Sequence, residues 1–226
     1  MKKLTLILAS IVVFSLCTAN LFASESGDIK KSYYGVLCGF NFDRFIGENS
    51  SAAEFWFGGE KKSRMGLAVG AFAHLGIGNI FAIEPQALYS QKGSKYSGAF
   101  PGWGDEMTFK VDYLEVPVIV RVYIPPIPVV KVNVFGGGFF GYNMVAKYRY
   151  EEIGYEEDGD IDDIFVVSTE DIDYGLVFGA GAVYPISNVF ARLDLKYTLG
   201  LAKIWDYPPD DDVRNGVFSI IASVGF

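Results

Sequence analysis

Between Val111 and Ile124 the chain reads VDYLEVPVIVRVYI, and its even and odd positions belong to two different solvents. Apart from Asp112, the even positions Leu114, Val116, Val118, Val120, Val122 and Ile124 are branched and apolar, whereas the odd ones include Tyr113, Glu115, Pro117, Arg121 and Tyr123. Successive side chains of a strand point to opposite faces, so one face meets an oily phase while the other carries a carboxylate and a guanidinium. The run is long for a strand of an ordinary globular domain. At about 3.3 Å per residue and a tilt near 45°, it covers roughly 30 Å along the normal, the thickness of a bilayer's hydrocarbon core. It predicts one stave of a transmembrane β-barrel.

The N-terminus directs such a chain out of the cytoplasm. Met1-Lys2-Lys3 precedes an apolar run, Leu4 to Leu16, broken only by Thr5, Ser10 and Ser15, and small residues follow at Ala19 and Ala23. That pattern is a secretory signal peptide, too short for a spanning helix, with cleavage after Ala19 or after Ala23. The chain divides into a signal peptide at 1–23 and a barrel domain at 24–226. Losing Lys2 and Lys3 moves the formal net charge from −8 to −10. Nucleic acid is excluded as a partner, because it needs a clustered basic surface. Cys38 is the one cysteine left after the leader, so no intramolecular disulfide forms.

Alternating segments recur along the chain. Tyr34 to Phe42, Arg64 to His74, Ile80 to Gln91, the stretch above, Val129 to Val145, Ile172 to Tyr184, Val189 to Leu201 and Asn215 to Phe226 make eight strands. Their connections alternate long and short. The long ones are Asp43 to Ser63, Lys92 to Met107, Lys147 to Asp171 and Lys203 to Arg214; the short ones centre on Gly76, Pro126 and Ser187. The fold class is therefore all-β, an eight-stranded antiparallel up-and-down transmembrane barrel of the outer membrane, with extracellular loops and periplasmic turns. The competing fold is a soluble, lipocalin-like ligand carrier with the apolar faces turned inward.

The segments IEPQALYSQKG at Ile83 to Gly93 and YLEVP at Tyr113 to Pro117 resemble those of the PorT-like outer-membrane β-barrel family. Phe135-Gly136-Gly137-Gly138, Gly179-Ala180-Gly181, LDLKYTLGL at Leu193 to Leu201 and the closing aromatic are similar too. The resemblance covers about Tyr34 to Phe226. It implies the barrel fold and an envelope location, with one secretion-associated member giving the family its name. It also implies that Phe226, on one face with Val224, Ala222, Ile220 and Phe218, is the end signal read by the barrel-assembly machinery.

Eight strands leave an interior that side chains can fill. Glu84, Gln86, Glu115, Arg121, Arg192, Asp194 and Lys196 lie on the inward faces, and charges cut off from water must pair. Glu84, Arg121, Arg192 and Asp194 should share one depth in the half near the short turns, with Glu115 and Lys196 higher, as an ionic plug. This predicts a structural or surface-interaction protein, with a small porin-like or secretion-associated barrel as the alternative. No catalytic, cofactor or metal residue is assigned: His74 stands at the short-turn rim, the wrong end for outer-leaflet chemistry, and reads as rim or inward filler. The acidic segment from Glu151 to Asp173, with eleven carboxylates and no Lys or Arg, reads as a solvated loop that could hold a divalent cation between protein and lipopolysaccharide. Trp56, Trp103 and Trp205, with Tyr89, Tyr96, Tyr148 and Tyr207, read as an interfacial aromatic girdle. The expected partners are outer-membrane lipid, lipopolysaccharide and the assembly machinery.

Overall fold

The computed structural model describes residues 32–47, 60–97, 106–124, 130–152, 155–161, 170–186, 189–204 and 212–226. The signal peptide at 1–23, all three tryptophans, Tyr207, the turn at 125–129 and Ser187 lie outside them.

The strands are β1 (Tyr33–Ile46), β2 (Glu60–Ile77), β3 (Phe81–Lys92), β4 (Ser94–Ser97), β5 (Glu106–Tyr123), β6 (Lys131–Glu152), β7 (Tyr155–Asp160), β8 (Ile172–Ile186), β9 (Val189–Gly200) and β10 (Arg214–Gly225). Pairing is antiparallel throughout. β1 is bonded to both β2 and β10, which closes the sheet on itself. β3 and β4 share the neighbours β2 and β5, so they form one stave, broken at Gly93 where φ is +133°. β7 pairs with β6 alone and stands as a hairpin flap outside the ring. The ring β1, β2, β3/β4, β5, β6, β8, β9, β10 is thus a closed, eight-stave, up-and-down barrel, as the alternation predicts.

All four segments expected as loops are partly strand: within Asp43 to Ser63, β1 continues to Ile46 and β2 begins at Glu60, and Arg214 at the end of the last already opens β10. Within Lys92 to Met107, Lys92 ends β3 and β4 follows; within Lys147 to Asp171, β6 continues to Glu152 and β7 returns beside it. Polar composition reports the solvent around a segment, and strands that rise out of the bilayer into water keep their ladder while losing their apolar face.

Burial alternates residue by residue. On β10, Phe218, Ile220, Ala222 and Val224 are exposed, while Val217, Ser219, Ile221 and Ser223 are buried. The outer wall carries Val36, Phe40, Leu67, Val118, Leu176 and Leu193, each about half exposed. The whole wall is a continuous apolar surface far beyond the few hundred Å² that soluble proteins expose. A lipocalin-like carrier would need these faces inside, and the inside is instead lined by Glu84, Arg121, Arg192 and Asp194.

One irregularity changes which residues face in. Asp112 lies opposite Val145 and Tyr113 opposite Asn143, so Met144 on β6 has no opposite number. Below this β-bulge the odd residues Asn133, Phe135 and Phe139 point inward; above it Tyr148 does. Tyr148, expected in the outer girdle, is therefore buried at 5% exposure, and Tyr96, expected there too, is buried at 2% because it shares the inward phase of Ser94 on β4.

The lumen is filled by placing large side chains against none. Phe135 stands opposite Gly179 and Phe139 opposite Gly175. A Cβ at Gly179 would fall on the Phe135 ring and the Leu195 carbonyl. Gly179→Val should cost about 1–3 kcal/mol by overpacking. The check is the temperature at which the compact, fast-migrating band on unboiled gels is lost, and an unchanged temperature would contradict this packing.

Candidate functional site

The barrel encloses layers of side chains that can be taken in order from the end bearing the chain termini. The floor is aromatic. Tyr33 stacks on His74 at 4.4 Å and on Phe190 at 4.5 Å, and Tyr123 meets the His74 ring edge-on at 5.9 Å. Each of these four residues is buried.

Directly above the floor, Glu84 is gripped by two guanidinium groups. Arg121 donates from Nε at 3.0 Å and Nη2 at 3.1 Å, and Arg192 from Nη1 at 2.7 Å and Nη2 at 3.0 Å. Gln86 adds a bond at 2.7 Å, and His74 Nδ1 lies 3.3 Å from the carboxylate. Arg121 also donates to Asp194 at 2.7 and 3.1 Å and to Asn133 at 2.8 Å; Arg192 Nε stands 3.0 Å from Asp194. Glu84 and Asp194 thus balance Arg121 and Arg192. Bidentate geometry gives each ion about the best return that can offset the several kcal/mol of its desolvation. The guanidinium planes lie over rings, Arg121 over Phe135 at 4.5 Å and Arg192 over Phe72 at 4.3 Å. β3 and β9 stand on opposite sides of the ring, so the Arg192–Glu84 pair spans the lumen.

A second cluster sits nearer the far end. Lys92 Nζ is 2.5 Å from Glu115 and 2.9 Å from Asp173, with the Phe139 and Tyr113 rings 4.6 and 4.9 Å away. Asn215 donates to the same Asp173 oxygen at 2.9 Å and reaches the Tyr113 hydroxyl at 3.4 Å. Asn41 ties Ser90 to Ser219, and the amide of Gly93 donates to Asp43. Lys196 is buried between the two clusters and makes no ion pair among the described residues. Above them Phe45, Tyr96, Phe109, Val111, Tyr148, Ile161, Ile204 and Val213 pack into an apolar cap.

The structure therefore joins Glu84, Gln86, Arg121, Arg192 and Asp194 in one network, puts Glu115 in another and leaves Lys196 between them. His74, read as rim or filler, is a buried member of the first network. Lys92 and Asp173 were missed because they fall at strand ends beside polar segments. Each continues the inward phase of its strand, Lys92 after Ser90 and Asp173 before Gly175, and that phase would have found them. Asp173 is accordingly in the lumen and outside the solvated acidic loop. On the flap, Asp158 takes paired bonds of 2.9 Å from Arg149, and those bonds hold its carboxyl below the usual carboxylate range. No group of three or more His, Cys, Asp or Glu suited to a metal occurs among the described residues. Phe226 exchanges backbone bonds with Tyr34 at 2.9 and 3.4 Å, and its ring meets the Tyr34 ring edge-on, facing outward.

A closed barrel, apolar without and polar within, defines an integral membrane protein of the β class. The chain belongs to the outer membrane protein β-barrel domain family, whose model matches residues 22–206, and so is a protein of the outer membrane. Among solved structures it is similar to Ail, the attachment invasion locus protein of Yersinia pestis, at 14% identity over 86% of this chain and 99% of that one, TM-score 0.43. It is similar to the Neisserial surface protein A at 14% identity over 85% and 97%, TM-score 0.47, and to OprG from Pseudomonas aeruginosa at 10% over 87% and 94%, TM-score 0.49. No curated protein matches it.

Removing Arg121 from the first network leaves two buried carboxylates to share the one guanidinium of Arg192. Arg121→Ala should destabilise the barrel by roughly 3–5 kcal/mol. Arg121→Met combined with Asp194→Asn, which keeps the Arg192–Glu84 pair and removes one charge of each sign, should recover much of that loss. Urea unfolding in lipid vesicles, followed by circular dichroism, measures both, and equal stability of Arg121→Ala and wild type would contradict the pairing.

Proposed function

We propose that the protein is a closed outer-membrane barrel that acts through its surface, with a structural or interaction role, and that it neither conducts solutes nor catalyses a reaction. The observation that carries the reading is the pair of guanidinium groups meeting on Glu84 across the lumen, between an aromatic floor and an apolar cap. An open pathway for ions would have to separate charges that are already paired, at a cost of several kcal/mol. His74 is enclosed by aromatic rings and bonded to Glu84, which suits anchoring better than proton transfer to a substrate.

In this reading the terminal end faces the periplasm and the long connections face the exterior, with outer-membrane lipid and lipopolysaccharide as surroundings. The likeness to PorT-like barrels belongs to the same proposal, as does recognition of Phe226 by the assembly machinery. Its outward ring on the final lipid-facing row is open to such a contact before the barrel closes on β1. A divalent cation at the acidic segment would use carboxylates other than Asp158, which Arg149 engages.

Planar-bilayer recording tests the central statement. Wild-type protein should give little steady conductance; large, stable single-channel currents would mean that the inward residues line water and that the barrel is a channel. An epitope inserted at 48–59 or 98–105 should be labelled on intact cells. Labelling at 78–80 instead would reverse the orientation.

A further inference from the structure

Above the lipid-facing belt, the outer surface of β2, β4, β5 and β6 changes chemistry in rows. Residues directly opposite each other across a ladder share a face and a level. The first row pairs Lys110 with Lys147. The second runs Lys62, Lys95, Thr108, Arg149 across four strands, and the third carries Glu60, Ser97, Glu106 and Glu151. β7 sets Asp160 opposite Lys147 and Asp158 opposite Arg149, so the first two rows keep a reduced positive excess and the third is acidic. Twice in the basic rows a lysine stands directly opposite a lysine, which is destabilising on its own. In each pair one lysine, Lys62 or Lys147, has no ion pair among the described residues, which leaves it open to an external anion.

Carboxylates on this face neutralise only part of it. Glu106 engages Lys95, and Asp158 takes Arg149 and lies 3.6 Å from Lys110. Lys62 and Lys147 are exposed and have no ion pair among the described residues. The face exists because of the bulge at Met144: without it, Lys147 and Arg149 would keep the inward phase of Asn143 and Tyr148 would turn out.

Height selects the partner. The belt ends at Leu114 on β5 and at Tyr142 and Met144 on β6, beside Tyr89, whose hydroxyl donates to Asp112 at 2.6 Å as an interfacial tyrosine would. Lys110 stands four residues beyond Leu114, about 9 Å higher at a tilt near 45°, and the second row roughly 5 Å higher again. The headgroup layer extends on the order of 5–8 Å beyond the hydrocarbon, and lysine stems bend back toward it. We infer that this face docks the phosphate groups of an anionic lipid in the outer leaflet, with Lys62, Lys95, Lys110 and Lys147 around them.

The inference rests on the membrane placement and orientation given above and is independent of whether the lumen conducts. Full-length protein in zwitterionic detergent would be titrated with bis-phosphorylated lipid A, with dephosphorylated lipid A and with inositol hexaphosphate. Each surface lysine is worth roughly fivefold in affinity for an anionic lipid surface. Lys62→Gln/Lys95→Gln/Lys110→Gln/Lys147→Gln should therefore weaken lipid A binding more than tenfold, and Lys110→Gln/Lys147→Gln alone should weaken it measurably. Lys131→Gln, at the opposite end of β6, should leave it unchanged. Dephosphorylated lipid A binding as well as the phosphorylated form, the control losing as much as the quadruple variant, or inositol hexaphosphate binding more tightly than lipid A would each overturn the assignment. Heat-modifiability of every variant is read in parallel. Its loss in the wild type, with recovery in the soluble fraction, would sink the membrane reading itself, a result distinct from loss of phosphate selectivity.

Discussion

The structure depends on one buried carboxylate with two guanidinium partners. Glu84 reaches into a lumen where water is scarce, and Arg121 and Arg192 arrive from two other staves to meet it. A lone ion there would cost several kcal/mol, so the charges hold the staves at the separation their side chains can bridge. Asp194 completes the balance and ties the two arginines to each other. Phe72 and Phe135 supply faces for the guanidinium planes, and glycines on the neighbouring strands leave room for those rings.

On either side of this layer the barrel returns to apolar packing. The floor of Tyr33, His74, Tyr123 and Phe190 shields the ion pairs from one side; the Lys92 cluster and the apolar cap shield them from the other. The outer wall meets the opposite requirement, because the strand ladders take up the backbone polar groups and the outward side chains need only match hydrocarbon. Closure through β1 and β10 leaves no unpaired edge in the ring. Polar strands above the belt share the same ladders and so inherit the rigidity of the part in lipid.

The period-two pattern made the staves legible, since a residue's face follows from its parity as long as the strand is regular. The interior charges at Glu84, Arg121, Arg192 and Asp194 could be placed at one depth by counting from the short turns. Lys196 could be placed as well, but its lack of an ion pair among the described residues could not, because partners are chosen across the lumen and not along the chain. Lys92 and Asp173 escaped because they sit in polar surroundings at strand ends. Tyr96 and Tyr148 were misassigned because aromatic residues in polar segments look interfacial whichever way they point.

By itself the sequence determined the architecture: eight alternating segments long enough to cross a bilayer, apolar on one parity and small, polar or charged on the other. That much is local, since alternation and length decide both the strand and the solvent on each side. The pairing of charges, the filling of the lumen and the phase of β6 beyond Met144 were decided only when the staves closed. A bulge costs one residue of register between two strands, and neither strand alone records it. From that single offset Tyr148 turned into the cap, and Lys147 and Arg149 turned out beside Lys110.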